Sequence, residues 1–311
     1  MAVVSKQTSR GGYQVKVYSP SATARFSRCP LLWALDRNGW HPRVLSKRDL
    51  YAIGGRAIAS GVGAYNLMTQ AGDTSAIEIR FKRAADVMST IFHQGIEELE
   101  ASQRQLPNTA IVSEADEILE NAKRMLGAYT AKNPTQHYHI VGVELELGPE
   151  AGNARPDLVV EDKAGDLLVI DYKSRWTTRT GAQSGYWENI DRLERSVSHQ
   201  LLHYAYFVGQ KYGRPVKHVG ICELHGTRGY TPFITPDAVS HETLAIWYES
   251  AKGMWEVMER IEKEGVAPWM ATQHADRYGL CEMYNACFRH HLDPTLMSHE
   301  YVQLERVKES V

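Results

Sequence analysis

Two aspartates and a lysine stand close together in the middle of the chain, in Arg155-Pro156-Asp157-Leu158-Val159-Val160 and in Leu167-Leu168-Val169-Ile170-Asp171-Tyr172-Lys173-Ser174-Arg175. The apolar runs 158–160 and 167–170 are short and β-rich. The polar stretch between them, with Lys163-Ala164-Gly165-Asp166, has turn chemistry, so the segment predicts a β-hairpin. Side chains two apart on a strand share a face, so Asp171 and Lys173 project together while Ile170 and Tyr172 point the other way. A carboxylate beside an ammonium at the end of an apolar strand has two readings. One is an exposed ion pair, worth about 0–1 kcal/mol. The other, sharper one is a metal site.

The surrounding elements must position these groups. Tyr138 to Leu147 reads as a strand, with Val141, Val143, Leu145 and Leu147 on one face and Glu144 and Glu146 on the other, so two acids face one way just ahead of the hairpin. Ser196 to Val208 reads as a helix on which Gln200 and Tyr204, four apart, share a face. The tyrosine is equally compatible with a core residue whose hydroxyl is satisfied. Lys217 to Leu224 is a further strand, and its Cys222 reads as structural. Helical spacing recurs over Ala76–Arg104, Glu114–Lys132 and Glu242–Glu264, which predicts scaffold helices. Near the N-terminus, Tyr18 to Leu35 predicts a capped helix, a break at Cys29-Pro30 and a second helical segment. Small residues recur over Gly54–Gly63, as in a helix that packs closely against a neighbour. With neither a preceding strand nor a Gly-Lys-Ser/Thr ending, the stretch is no phosphate loop. Between hairpin and helix, Arg175, Arg179, Arg192 and Arg195 are interleaved with Trp176, Tyr186 and Trp187. Arginines among aromatics suit a single-stranded nucleic acid, whereas Glu188, Asp191 and Glu194 suit a plain surface loop.

Composition bounds the class. The 311 residues exceed the ~100–200 of a typical domain. The organisation read from them is a single domain over 1–311, with a core at about 136–225, an N-terminal helical part at 18–132, a C-terminal helical clasp at 240–290 and a tail at 291–311. A hydrophobic share of 43% and a charged share of 23% are those of an ordinary globular protein. No run of roughly 18 apolar residues is present to cross a membrane, and residues 1–12 do not read as a signal peptide. Four cysteines make no disulfide scaffold, which points to reduced thiols or metal ligands in a cytoplasmic setting. A formal net charge of −2 excludes a strongly basic DNA-coating protein, but not a local basic groove.

Taken together, Pro156-Asp157 followed by Asp171-Tyr172-Lys173, and then the Gln200–Tyr204 pair, resemble the PD-(D/E)XK nuclease superfamily. Within it they are most similar to the RecB-like branch that includes the CRISPR adaptation nucleases. The resemblance runs from about Tyr18 to Phe288. It implies an α/β fold with a restriction-endonuclease-like core: a central mixed β-sheet flanked by helices, with the N- and C-terminal helical segments packed together. It implies a Mg²⁺- or Mn²⁺-dependent DNA nuclease, most simply an exonuclease acting on ends or single strands in recombination, repair or phage DNA metabolism. The setting implied is the cytoplasm of a bacterial or phage-infected cell. In the family the two acids hold the metal, here Asp157 and Asp171. The lysine, Lys173, helps activate the attacking water, and Gln200 and Tyr204 place the substrate or the lysine. Mg²⁺ prefers oxygen ligands and keeps several waters, so two or three carboxylates suffice. DNA is the implied partner, no membrane is involved, and the identity of any recombination or replication partner protein stays open.

Two departures matter. The branch usually carries a metal-binding histidine four residues after a glycine in the helix before the sheet, and Gly55-Arg56-Ala57-Ile58-Ala59 ends in alanine. Glu144 is the candidate replacement; two aspartates, a backbone carbonyl and water are the alternative. Many members also hold a [4Fe-4S] cluster by one N-terminal and three C-terminal cysteines. Cys29, Cys281 and Cys287 fall on three of those positions, while His274 or Asp276 stands near the fourth. An intact cluster, an atypical ligand and a vestigial clasp held by packing all stay open. The rival to catalysis is a nuclease-like DNA-binding or structural protein, for which Ala59 is the best sign.

Overall fold

The structure is a computed structural model that describes residues 15–42, 47–102, 110–176, 198–226, 232, 234–264, 275–276, 279–280, 283, 286–287, 292, 294–298 and 300–303. Helices α1 (Pro20–Arg28) and α2 (Pro30–Arg37) are separated by Cys29, as the Cys-Pro break predicts. Extended Cys29 ends the first helix and caps the second, its sulfur accepting from Leu32 N at 3.4 Å, and Pro30 sits where a missing N–H costs nothing. Strand β1 (Trp40–Pro42) precedes three long helices, α3 (Lys47–Gln70), α4 (Ile77–Ala101) and α5 (Ala110–Lys132).

A five-stranded sheet follows, built from β2 (His139–Val143), β3 (Leu158–Glu161), β4 (Leu167–Arg175), β5 (Val216–His225) and β6 (Ile234–Ala238), in that spatial order. Its pairs are antiparallel except β4–β5, which is parallel and is bridged by α6 (His199–Tyr212). A parallel pair needs such a crossover, so the connection places a helix over β4 and β5. The mixed sheet with helices on both faces is the predicted restriction-endonuclease-like α/β architecture.

Alternation along the strands divides the core. Leu158, Val160, Leu168, Ile170 and Tyr172 pack under α3, α4 and α5, while Val159 and Val169 pack on the opposite side with α1, α6 and α7 (His241–Glu264). The N- and C-terminal helices meet there: Trp255 Nε1 donates to Thr23 Oγ1 at 2.9 Å, and Glu262 accepts from Lys16 at 2.9 Å and from the Tyr18 hydroxyl at 2.7 Å. Past α7 come the two-residue strands β7 (Ala275–Asp276) and β8 (Gly279–Leu280), the short helix α8 (Pro294–Met297) and β9 (Tyr301–Gln303), which pairs with β1. Among the described residues no helix is long and apolar enough to cross a membrane.

The strand read over Tyr138–Leu147 is shorter than its pattern. It ends at Val143, because Glu144 turns into a left-handed conformation with φ of 44°. Pairing with the hairpin then continues irregularly through Glu144 N to Asp157 O at 2.9 Å and Leu147 N to Ala154 O at 3.1 Å. Alternation survives the bend only in part, so Glu144 and Glu146 do not lie on one strand face.

On α6, His203 is fully buried among Phe207, Trp247 and Trp255, and its Nε2 hydrogen-bonds with Ala151 O at 2.9 Å. Burial pushes this imidazole down to about 4, against the pull of the Ala151 bond and with help from His199. An unfolded histidine titrates near about 6.5, so between those values the unfolded chain binds a proton that the fold excludes. The associated stability is present above about pH 6.5 and is lost as pH falls toward 4, about 3 kcal/mol in all. Urea unfolding at pH 7 and pH 4.5 is expected to show a smaller loss for His203→Phe than for wild type. Equal losses would remove His203 as the origin.

Candidate active site

Register brings the two aspartates together. Leu158 pairs with Ile170, so Asp157, one residue before β3, faces the neighbourhood of Asp171 on β4. Asp157 Oδ2 accepts from the Tyr172 amide at 2.7 Å. Asp171 is 2% exposed, and Lys173 Nζ lies 2.6 Å from its Oδ2. That contact is close in charge but poor in hydrogen-bond direction, so the buried oxygen accepts no well-formed hydrogen bond. From the other side Lys173 Nζ donates to Gln200 Oε1 at 3.0 Å, and Gln200 Nε2 donates to the Tyr204 oxygen at 3.0 Å. The crossover helix thus delivers the predicted Gln–Tyr pair to the lysine, so Asp171, Lys173, Gln200 and Tyr204 form one chain of contacts, with Asp157 beside it on the Tyr172 amide.

Electrostatics follow from burial. Loss of water and the neighbouring Asp171 charge hold the Asp157 carboxyl well above the usual carboxylate range, against the Tyr172 amide and Lys173, with Glu144 adding to the rise. Burial works against the Lys173 ammonium, but attraction to Asp171, the contact with it and attraction to Asp157 prevail and raise its proton affinity. Lys173 is therefore a cation at neutral pH. It is suited to stabilising developing negative charge and unsuited to taking up a proton. Burial likewise raises the Tyr204 hydroxyl, with the aspartates adding to it and Gln200 opposing, so this group is neutral.

Glu144 bends in beside Asp157. Its carboxylate pairs with the Arg155 guanidinium, whose Nε also donates to Glu144 O at 3.3 Å. Gly63 on α3 gives it room: a Cβ there would sit 3.2 Å from Glu144 Oε1. Glu144, Asp157 and Arg155 line a cleft of about 600 Å³ whose α3 wall includes Arg56, Ala59 and Ser60. Ala59 therefore faces the space in which a ligand from α3 would stand, and Glu144 approaches that space from the strand end. The donor set of Asp157, Asp171 and Glu144 is all oxygen, two of the acids are crowded, and one buried oxygen lacks a directed partner. By the chemistry of its donors such a set fits Mg²⁺ or Mn²⁺, but the three carboxylates do not all lie within 4.8 Å of one another.

Among the described residues the one trio of ligand-type side chains whose ligand atoms all lie within 4.8 Å of one another is Asp162, Asp166 and His218, at the β3–β4 turn. Asp162 Oδ1 there already accepts from Ala164 N at 2.8 Å and Asp166 N at 2.9 Å, and Asp166 pairs with Lys217 at 2.8 Å, which are turn-building contacts.

The cysteines read as cluster positions are distributed differently. Cys29 and Cys287 share an apolar cluster with Leu31, Leu32, Met283 and Tyr301, while Cys281 and His274 lie outside the described residues. Nothing among the described residues supports an iron-sulfur cluster. Burial pushes the Cys222 thiol up to about 12, as befits a structural core residue. Of the arginine–aromatic stretch, Arg175 bonds Glu223 at 3.0 Å and Trp176 stacks on Tyr51 at 5.9 Å. Arg179, Tyr186, Trp187, Arg192 and Arg195 lie outside the described residues.

A supporting network behind β4 escaped the sequence reading. Asn66 of α3, fully buried, donates to the Tyr172 hydroxyl at 2.7 Å and to the Tyr129 hydroxyl at 3.0 Å, and the two hydroxyls are 3.2 Å apart. The signal was present: Asn66 follows Ile58 and Val62 at spacings of four on an apolar helix face. The network anchors Tyr172, whose amide holds Asp157. Asn66→Ala is expected to lower stability by about 2 kcal/mol in urea unfolding, since it strands buried hydroxyls, and Tyr129→Phe by less. An unchanged midpoint in Asn66→Ala would contradict the assignment.

Comparison with known proteins adds the family. Residues 17–288 match the sequence model of the PD-(D/E)XK nuclease superfamily. Among solved structures the chain is similar to a provisionally named exonuclease of Eubacterium rectale, with 15% identity, a TM-score of 0.43 and 88% of each chain covered. A search of curated proteins finds no match.

Proposed function

Because the chain belongs to the PD-(D/E)XK nuclease superfamily, we propose that it is a Mg²⁺- or Mn²⁺-dependent deoxyribonuclease, an exonuclease hydrolysing phosphodiester bonds at DNA ends or single strands. Its service would be in recombination, repair or phage DNA metabolism. The observation that supports this reading most is the chain of contacts from buried Asp171 through Lys173 and Gln200 to Tyr204, with Asp157 held beside it by the Tyr172 amide.

In this reading Asp157, Asp171 and Glu144 hold the cation. A divalent ion there supplies acidification of water and neutralisation of charge on phosphate oxygens. The protein's own residues do the positioning. Asp171 and Gln200 hold the Lys173 ammonium in place from two sides, so it can stabilise negative charge on an attacking oxygen without reorganising. Tyr204 fixes the Gln200 amide, and the Tyr172 amide fixes Asp157. Crowding of Asp157 and Asp171 is costly without a cation, which favours metal capture.

Incubation of the protein with end-labelled single- and double-stranded DNA and Mg²⁺ or Mn²⁺ is expected to give degradation that Lys173→Ala reduces by about 100-fold or more. Degradation equal in both proteins, or absent in both, would sink the catalytic assignment. Glu144→Gln is expected to raise the half-saturating metal concentration by about tenfold. An unchanged metal requirement would exclude Glu144 as the third ligand.

A further inference from the structure

Resting on the nuclease reading above, we propose that the cleft between α3 and α4 is a subsite for a short unpaired stretch of a DNA strand. Arg56 is its phosphate contact at one end, and the aliphatic surface of Ile91, Val87 and, about 16 Å along α3 from Arg56, Leu67 is the wall for its bases. These residues line the same cleft as Asp157 and Glu144.

Arg56 lies one turn before Ala59 on α3 and is exposed. Several other surface cations of the described chain have acidic partners: Arg155 has Glu144, Arg83 has Asp73, Arg214 has Glu161 and Lys217 has Asp166. Arg56 has no ion pair among the described residues, although it flanks an acid-lined cleft. Its guanidinium lies against α4 at Gly95, where a Cβ would be in ordinary contact with Nη2 at 3.5 Å. A guanidinium held at the rim of a metal-binding cleft is suited to a phosphate oxygen, which it can bind in bidentate fashion.

The aliphatic surface along the cleft, Leu67 further along α3 and Val87 and Ile91 on α4, is unusual for a surface. Leu67 is 50% exposed and Val87 41% exposed, and with Ile91 they face a common concavity. Scattered exposed aliphatics need no explanation, but aliphatics gathered along one cleft beside charged groups have the make-up of a ligand site. A nucleotide has the complementary chemistry, an anionic phosphate joined to a base with an apolar face. In a duplex that face is covered by stacked neighbours and is not available to a wall. A cleft of about 600 Å³ also has the size of a small-ligand site. Charge at one end of the cleft and aliphatic surface along it therefore select an unpaired stretch of strand next to the scissile phosphate, and disfavour intact duplex there.

The test is equilibrium binding of the full chain, in EDTA, to a fluorescein-labelled single-stranded oligonucleotide and to a blunt hairpin duplex, as a function of salt. Arg56→Gln is expected to weaken single-strand binding about tenfold and to reduce the slope of log K against log[salt] by about 0.7, one phosphate's worth. Arg56→Lys is expected to restore the slope, because it restores the charge. Leu67→Gln is expected to weaken single-strand binding with the slope unchanged, and duplex binding should move little in any variant. Wild-type affinity and slope in Arg56→Gln, or equal weakening toward single strand and duplex, would overturn the subsite. Cleavage by wild-type protein with Mg²⁺ or Mn²⁺ is scored separately. A protein that cleaves but lacks the Arg56 dependence loses only the subsite, and one that shows the binding pattern without cleavage loses only the nuclease reading.

Discussion

Two carboxylates held side by side out of water dominate the energetics of the site. Loss of water and the neighbouring Asp171 charge both make it harder for Asp157 to stay ionised. The two aspartates stay together because the β3–β4 register is set by residues buried on both sheet faces, and a slip of one position would turn every one of them over. The cost of the pair is thus met by the apolar sheet around it. What the pair lacks is positive charge. Lys173 supplies part of this, but its geometry leaves one buried Asp171 oxygen without a directed partner. In the proposed reading a divalent cation would complete the pair, and burial together with the neighbouring Asp171 charge, which raise the proton affinity of Asp157, would also favour that ion.

The rest of the fold serves that arrangement from two sides. On one face α6, the crossover between parallel strands, carries Gln200 and Tyr204 to the lysine. On the other, Asn66 and Tyr129 bind the Tyr172 hydroxyl inside the α3–α5 core. Alternation along β4 explains the division: Asp171 and Lys173 turn toward α6, and Tyr172 between them turns toward α3. A polar network in a dry core specifies a particular packing when every member is satisfied. Here it fixes the strand that carries both Asp171 and the amide bound to Asp157.

The alanine at position 59 becomes intelligible in this setting. Ala59 borders the cleft and Gly63, one turn on, leaves space that the Glu144 carboxylate occupies. A carboxylate arriving from the end of β2 stands near where a helix ligand would reach. It does so through a left-handed backbone at Glu144, a conformation uncommon outside glycine and often found at functional positions.

Much of the site was legible in the chain itself. Strand periodicity puts Asp171 and Lys173 on one face and helix spacing puts Gln200 and Tyr204 on one face, while Asp157, just before β3, enters the candidate site through the family resemblance. Four of the five sheet strands and the long helices followed from the same two periods, the mixed sheet itself from the family resemblance, and the edge strand β6 was not foreseen. Less could be read where tertiary contacts override the period. The alternating pattern from Val141 to Leu147 gave no sign that Glu144 would bend the strand, because the bend is stabilised by Arg155 and by pairing with residues 154–157. The roles of Asn66 and Tyr129 depend on bringing α3 and α5 together over β4, with Asn66 and Tyr129 separated by 63 positions and Tyr129 and Tyr172 by 43. The sequence by itself determined which side chains could do chemistry and on which face of their own element they lie, since those are local properties of strands and helices. Only the tertiary structure decided which of them meet, which acid stands beside the Ala59 gap, and how deeply the aspartates are buried, because distance and desolvation arise from packing between elements far apart in the chain.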